Sequence, residues 1–207
     1  MTSYKIFTKH AEKMLKKVKS RPVLQGAYHQ ADGSVVATDS HRLYKLHNGY
    51  QTEQPFIQNL TTGNMIDGNY PDTSKLIPEM DDAKCTIQVN VKELLDASKG
   101  MLAAHKAINS KAKYGYHLLQ MMEQDNKMVL LAGTESDRFH ATYNMSDVPL
   151  HGSNVNIAFQ AQYLIDALAL FKDAGESKIN IRFYGNIRPF IIESKDVTAL
   201  ILPVRVY

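Results

Sequence analysis

Asp39, Ser40 and His41 place an acid, a hydroxyl and a base in succession. A nucleophilic triad needs the imidazole between the other two groups. In an extended strand Asp39 and His41 face one way and Ser40 the other, so the three cannot converge. Eight histidines, among them His41, His47, His105, His117 and His140, show no HxxxH or HxH spacing of the kind a zinc site uses. Cys85 is the single cysteine, which rules out an intrachain disulfide and a CxxC zinc site. Neither GxxxxGK[ST] nor GxGxxG occurs, so nucleotide binding has no support. The residue types of catalysis are present without its spacing. A protein that is not an enzyme, with no cofactor and no metal, is expected.

Binding chemistry has more support. The net charge over 207 residues is only +3, but it is unevenly placed. Lys5, Lys9, Lys13, Lys16, Lys17, Lys19 and Arg21 face one acid, Glu12, within the first 21 residues. Lys92, Lys99, Lys106, Lys111 and Lys113 face Glu93 and Asp96. Such clusters suit a polyanionic partner, or else a solvated helix face. Three further segments set apolar residues beside turns and prolines: 37–43, 68–78 and 200–206. Proline fixes the backbone next to Leu43, Leu76 and Leu202, which suits a peptide-accepting groove; the same leucines could equally be core.

The elements that must position these residues follow from periodicity. Ala11, Met14, Leu15 and Val18 mark one buried stripe of a helix over 8–20, with Thr8 as its N-cap and the lysines opposite. A strand is expected ahead of that helix, and strands follow at 24–30, 34–37 and 41–46, with Asp32-Gly33 as a hairpin turn. The order recurs. A strand at 86–89, a helix over 91–105, and strands at 116–122, 128–132 and 138–145 form a second unit. A strand at 154–158, a helix near 160–171, and strands at 178–183, 190–193 and 198–204 form a third. Residues 48–82, rich in Gly, Asn, Thr and Pro, read as a linker with one short strand near 64–67. Three βαβββ units imply an internally repeated α+β fold. The best division is a partial N-terminal domain with linker, 1–80, and a complete domain, 81–207.

Four segments carry a resemblance. ATDSHRL, GNYPDTSKLIP, FQAQYLIDAL and ALILPVRV resemble, in the same order, motifs of the bacterial DNA polymerase III β subunit, the DNA sliding clamp. The departures are Ser40 for a glycine, Thr73 for an aromatic, Leu202 for a common methionine, and a chain too short for three domains. The resemblance implies a clamp fold of repeated βαβββ units whose helices face duplex DNA without reading its sequence. It assigns Lys9, Lys13, Lys16, Lys17, Lys92, Lys99 and Lys106 to phosphates. It assigns a groove for the clamp-binding peptides of polymerase and clamp loader to Thr38, Ser40, His41, Arg42, Leu43, Pro71, Lys75, Leu76, Pro189, Leu200, Leu202, Pro203, Val204 and Arg205. It further implies a homo-oligomer, either by two chains sharing a domain or as a trimer; the lone Cys85 suits a reducing cytoplasm, and with no run near eighteen apolar residues no membrane association is expected. The rival is a clamp-like protein that forms no ring and competes for those peptides.

Overall fold

The first helix buries Phe7, Ala11, Met14 and Leu15, a stripe at i, i+4, i+7 and i+8 that matches one face of an α-helix. In the computed structural model, which describes residues 4–19, 21–108, 117–133, 139–145 and 154–205, this helix is α1 (Tyr4–Leu15). It begins before Thr8. The Thr8 hydroxyl donates to the Tyr4 carbonyl at 2.9 Å, so Thr8 sits inside the helix and does not cap it. The strand expected ahead of the helix is absent over residues 4–7, which are helical. The helix closes where Val18 N donates to Leu15 O, before the expected end at Ser20, which lies outside the described residues. Lys111, Lys113 and Val206 lie outside them too.

Strands β1 (Gly26–His29), β2 (Val35–Thr38), β3 (Arg42–Leu46) and β4 (Phe56–Asn59) follow. The linker strand is therefore Phe56–Asn59, not 64–67; Met65 makes only an isolated bridge to Gln58. The reason is local. The Asn59 side chain accepts the amides of Thr61 and Thr62, and Gly63 takes φ 75°, so the chain reverses immediately after β4. The remaining elements are β5 (Cys85–Asn90), α2 (Val91–Ile108), β6 (Leu118–Gln124), β7 (Lys127–Ala132), β8 (Ala141–Asn144), β9 (Asn156–Gln160), α3 (Ala161–Asp173), β10 (Lys178–Phe183), β11 (Phe190–Glu193) and β12 (Val197–Ile201).

Eight strands form one sheet in the order β4-β1-β2-β3-β12-β11-β10-β5, and four form another, β8-β7-β6-β9. The two C-terminal repeats exchange their first strands: β5 pairs with β10, and β9 with β6. The N-terminal repeat joins the third through antiparallel β3 and β12, from Val197 opposite Leu46 to Ile201 opposite Arg42. Helix α3 packs between α1 and α2. Alternation along the strands sends Tyr44, Leu46, Ala199 and Ile201 into the main core with α1 and α3. Val36, Leu43, Ile191 and Leu200 point to the other face, where Tyr184 joins them and Tyr70, Ile77 and Ala83 of the connector cover them.

Candidate functional site

The β2–β3 reversal is built by Asp39. One carboxylate oxygen accepts the amides of His41 and Arg42, each at 3.0 Å, and the other accepts Arg42 Nε at 3.0 Å. The Thr38 hydroxyl donates to the Arg42 carbonyl at 2.8 Å and accepts the Ser40 amide. The segment 39–41 is thus a turn rather than strand, with Ser40 in the left-handed region at φ 73°. A residue with a Cβ is strained there, whereas glycine is not. The Asp39 carboxylate orients the Arg42 side chain, while the His41 ring meets only the backbone carbonyl of Asp39, Nδ1 to O at 3.3 Å, so the Asp-Ser-His run builds a turn.

Arg42 carries the turn's order into the helices. Its side chain is 2% exposed, and its guanidinium donates to Asp166 of α3 at 2.8 Å and lies 4.5 Å above the Tyr163 ring centroid. The second oxygen of Asp166 accepts Lys13 of α1 at 2.9 Å and Gln162 at 3.0 Å. Burial pushes Asp166 up, but hydrogen bonds from Arg42 and Lys13 and the guanidinium charge outweigh it, holding the carboxyl below its ordinary range. One ion network, buried at Arg42 and Asp166 and open to solvent at Lys13, therefore ties α1, β3 and α3 together.

A cavity of about 300 Å³ opens beside this network. Val18 and Leu24 give it apolar walls, and Tyr163 with Gln160 and Gln162 closes the α3 side. Ser40, His41 and Arg42 form the β2–β3 side, and Lys17, Lys19 and Arg21 form the side that leads into β1. Leu202 N donates to the His41 carbonyl at 2.9 Å, and Val204 N to that of Ala158, so the segment after β12 runs along this region.

The groove residues expected from sequence divide between two places. Ser40, His41 and Arg42 line the cavity. Thr38, Leu43 and Leu200 point to the opposite face of the sheet and are buried there. Pro71, Lys75 and Leu76 are exposed on the connector, and Thr73 beside them is buried. Pro189, Pro203 and Val204 are half-buried; Leu202 and Arg205 are exposed. The sequence reading missed Val18, Lys19, Arg21, Leu24, Gln160, Gln162 and Tyr163 as lining. Gln160 and Tyr163 stood in the FQAQYLIDAL motif, which was the available signal; Leu24 had none.

Of the lysines assigned to phosphate, Lys9 pairs with Asp173, Lys13 with Asp166, Lys16 with Glu12 and Lys92 with Asp96. Lys99 and Lys106 are exposed on α2, whereas Lys17 lines the cavity. Among the described residues no three His, Cys, Asp or Glu side chains could hold a metal ion. His105 and His117 meet as a pair, Nδ1 to Nδ1 at 3.0 Å, although no short motif links them in sequence. No helix among the described residues is long and apolar enough to cross a membrane.

The family model for the C-terminal domain of the DNA polymerase III beta subunit matches residues 74–205. The beta sliding clamp of Bacillus subtilis is 32% identical over 147 residues, covering 69% of this chain and 36% of that protein. The beta sliding clamp of Staphylococcus epidermidis is 29% identical over the same shares. The chain thus spans about a third of the length of the curated relatives it matches. The crystal structure of the DNA polymerase sliding clamp from B. subtilis superposes with a TM-score of 0.76 over 100% of this chain and 64% of its own, at 22% identity. The beta subunit from Streptococcus pyogenes gives 0.76 over 98% and 64%, at 18% identity. The fold is that of sliding clamps, and the chain belongs to the DNA polymerase III β-subunit family.

Proposed function

We propose that this member of the DNA polymerase III β-subunit family is a sliding-clamp-like processivity factor, a binding protein with no catalytic step. Residues 1–80 act as a partial clamp domain and 81–207 as a complete one. Exposed lysines of α1 and α2 meet DNA phosphates, a contact that is independent of sequence and weakened by salt. The cavity at the β2–β3 turn takes a clamp-binding peptide of the polymerase or its loader. Tethering then raises the effective concentration of enzyme at the primer end. The setting is cytoplasmic, and the working form is a homo-oligomer.

The observation that supports this reading is the junction itself. Strands β3 and β12 join two repeats into one sheet, and the cavity sits where that junction meets α1 and α3. The test is fluorescence anisotropy with a short peptide carrying leucine and phenylalanine anchors. Tyr163→Ala and Leu202→Asp should each weaken it about tenfold or more, as loss of an interface anchor does. Lys16→Gln, Lys99→Gln and Lys106→Gln together should weaken duplex DNA retention and flatten its salt dependence without touching peptide affinity. Unaltered peptide binding in both variants, one in the cavity wall and one on the segment beside it, would place the groove elsewhere.

One observation favours a second reading, a non-ring protein that competes for the same peptides. Strand β4 already occupies the flank of β1, so β1 is paired within this chain and needs no strand from another. Light scattering separates the two. A monomer at micromolar concentration that binds peptide and lacks DNA retention is the competitor.

A further inference from the structure

We propose that the cavity selects an acidic peptide, one that sets carboxylates beside its apolar anchor; this rests on the peptide-groove reading above. Charge is separated around the cavity. Arg42 lies within it, but its side chain is buried at 2% exposure and its charge is already paired with Asp39 and Asp166. Lys17, Lys19 and Arg21 are different. All three are exposed on the wall that leads from α1 to β1, and among the described residues none meets a carboxylate. Lys16, next to them, is neutralised by Glu12 at 3.0 Å. Among the described residues the one carboxylate in the lining, Asp39, is turned towards Arg42.

The floor argues for a peptide as the source of the carboxylates. Leu24 is 1% exposed, and with Val18 and one side of Tyr163 it makes an apolar recess. At about 300 Å³ the space is at the small end of ligand pockets, enough for one or two side chains. An apolar side chain seated there brings its neighbours in sequence alongside Lys17, Lys19 and Arg21. Charges across such a rim steer association and set specificity more than they add affinity, and they fade with salt.

The test uses the full chain and two labelled peptides with the same leucine and phenylalanine anchors, flanked by aspartates in one and asparagines in the other. The acidic peptide should bind about tenfold more tightly near 50 mM salt, and within about twofold of the amide peptide near 0.5 M. The variant with Lys17→Gln, Lys19→Gln and Arg21→Gln, all exposed positions, should lose the preference and keep the amide peptide's affinity. Reversing the three to glutamate should turn the preference towards lysine-flanked peptide. Equal affinity for the two peptides in the native chain overturns the inference and leaves the groove standing. Binding of neither overturns the groove and the inference together. Displacement of the acidic peptide by a short duplex from the native chain but not from the glutamine variant would also overturn it, since the wall would then read phosphates.

Discussion

The eight-stranded sheet ends on two flanks that solve the same problem in different ways. At the C-terminal flank, β10 is covered by β5, paired over six residues from Lys178 opposite Asn90 to Phe183 opposite Cys85. β5 then runs straight into α2, which packs on α3 and on the second sheet. At the N-terminal flank the equivalent place beside β1 is taken by β4, paired over four residues, and β4 comes from later in the chain. Ring stacking replaces a second helix there: His29 lies against Phe56 at 4.3 Å between centroids, with Tyr4 and Tyr50 around them. Gly26 permits the approach, since a Cβ would meet Ile57 Cγ2 at 2.6 Å. A repeat can thus finish its sheet from its own linker, but the cap it gains is short and held by few groups. Short, lightly packed elements open first.

The joint between the halves is the place to break this contrast outright. Arg42→Ala would leave Asp166 buried with only Lys13 and Gln162, and would remove the cation over Tyr163. Loss of one partner of a buried pair costs about 3–5 kcal/mol. Urea denaturation should register a drop of that size, and peptide binding should weaken in the folded fraction because the cavity wall is no longer fixed. A loss below about 1 kcal/mol would mean that the β3–β12 ladder alone holds the joint.

Paired deletions sharpen the comparison further. Ile87 on β5 is 3% exposed within the main core, and Ile87→Ala should cost about 2–4 kcal/mol and destabilise the whole molecule. Phe56 on β4 is half-buried, and Phe56→Ala should cost about 2 kcal/mol, less than a fully buried phenylalanine. Hydrogen exchange should show the second loss confined to residues 26–29 and 56–59. Uniform loss of protection in both variants would make the two flanks one cooperative unit.

That contrast also explains what the sequence could and could not reveal. Elements defined by local periodicity or turn chemistry were legible. The stripe of α2 was, and so was the β6–β7 hairpin, where Asp125 and Asn126 take φ 50° and 60° as a tight turn requires. Composition points to 64–67 for the linker strand, and the strand is instead β4, because Phe56 to Asn59 is extended through its pairing with β1. The strand expected before α1 followed from the repeat pattern, and residues 4–7 join the helix instead. In the site, ATDSHRL was recognised as a unit, but strand alternation splits it, sending Leu43 to one face and Arg42 to the other. Leu24 and Val18 reach the cavity by tertiary packing, which no spacing in the sequence announces.

The His29 cap adds a pH dependence to the weaker flank. Burial lowers the His29 pKa from its ordinary value near 6.5. Above that value the imidazole is neutral in both states and stability is unaffected. As pH falls below it the unfolded chain takes up a proton that the folded cap resists, so stability is lost down to the folded pKa. Between pH 7 and 5.5 protection at 26–29 and 56–59 should fall relative to 85–90 and 178–183, once intrinsic exchange rates are corrected. Equal behaviour of the two flanks would assign the acid response elsewhere.

The smallest effect concerns the turn at the cavity mouth. Ser40 holds φ 73° with its amide donating to the Thr38 hydroxyl at 3.2 Å, a backbone contact that any residue keeps. Its Cβ is the source of strain, on the order of 1 kcal/mol for a left-handed non-glycine residue. Ser40→Gly removes the strain but gives the unfolded chain more freedom, which offsets part of the gain. The balance should be a stabilisation of about 0.5 kcal/mol in urea denaturation, with cavity affinity unchanged. A destabilised Ser40→Gly variant would mean that the Ser40 side chain contributes to the turn, and that serine is there for the site rather than in spite of the backbone.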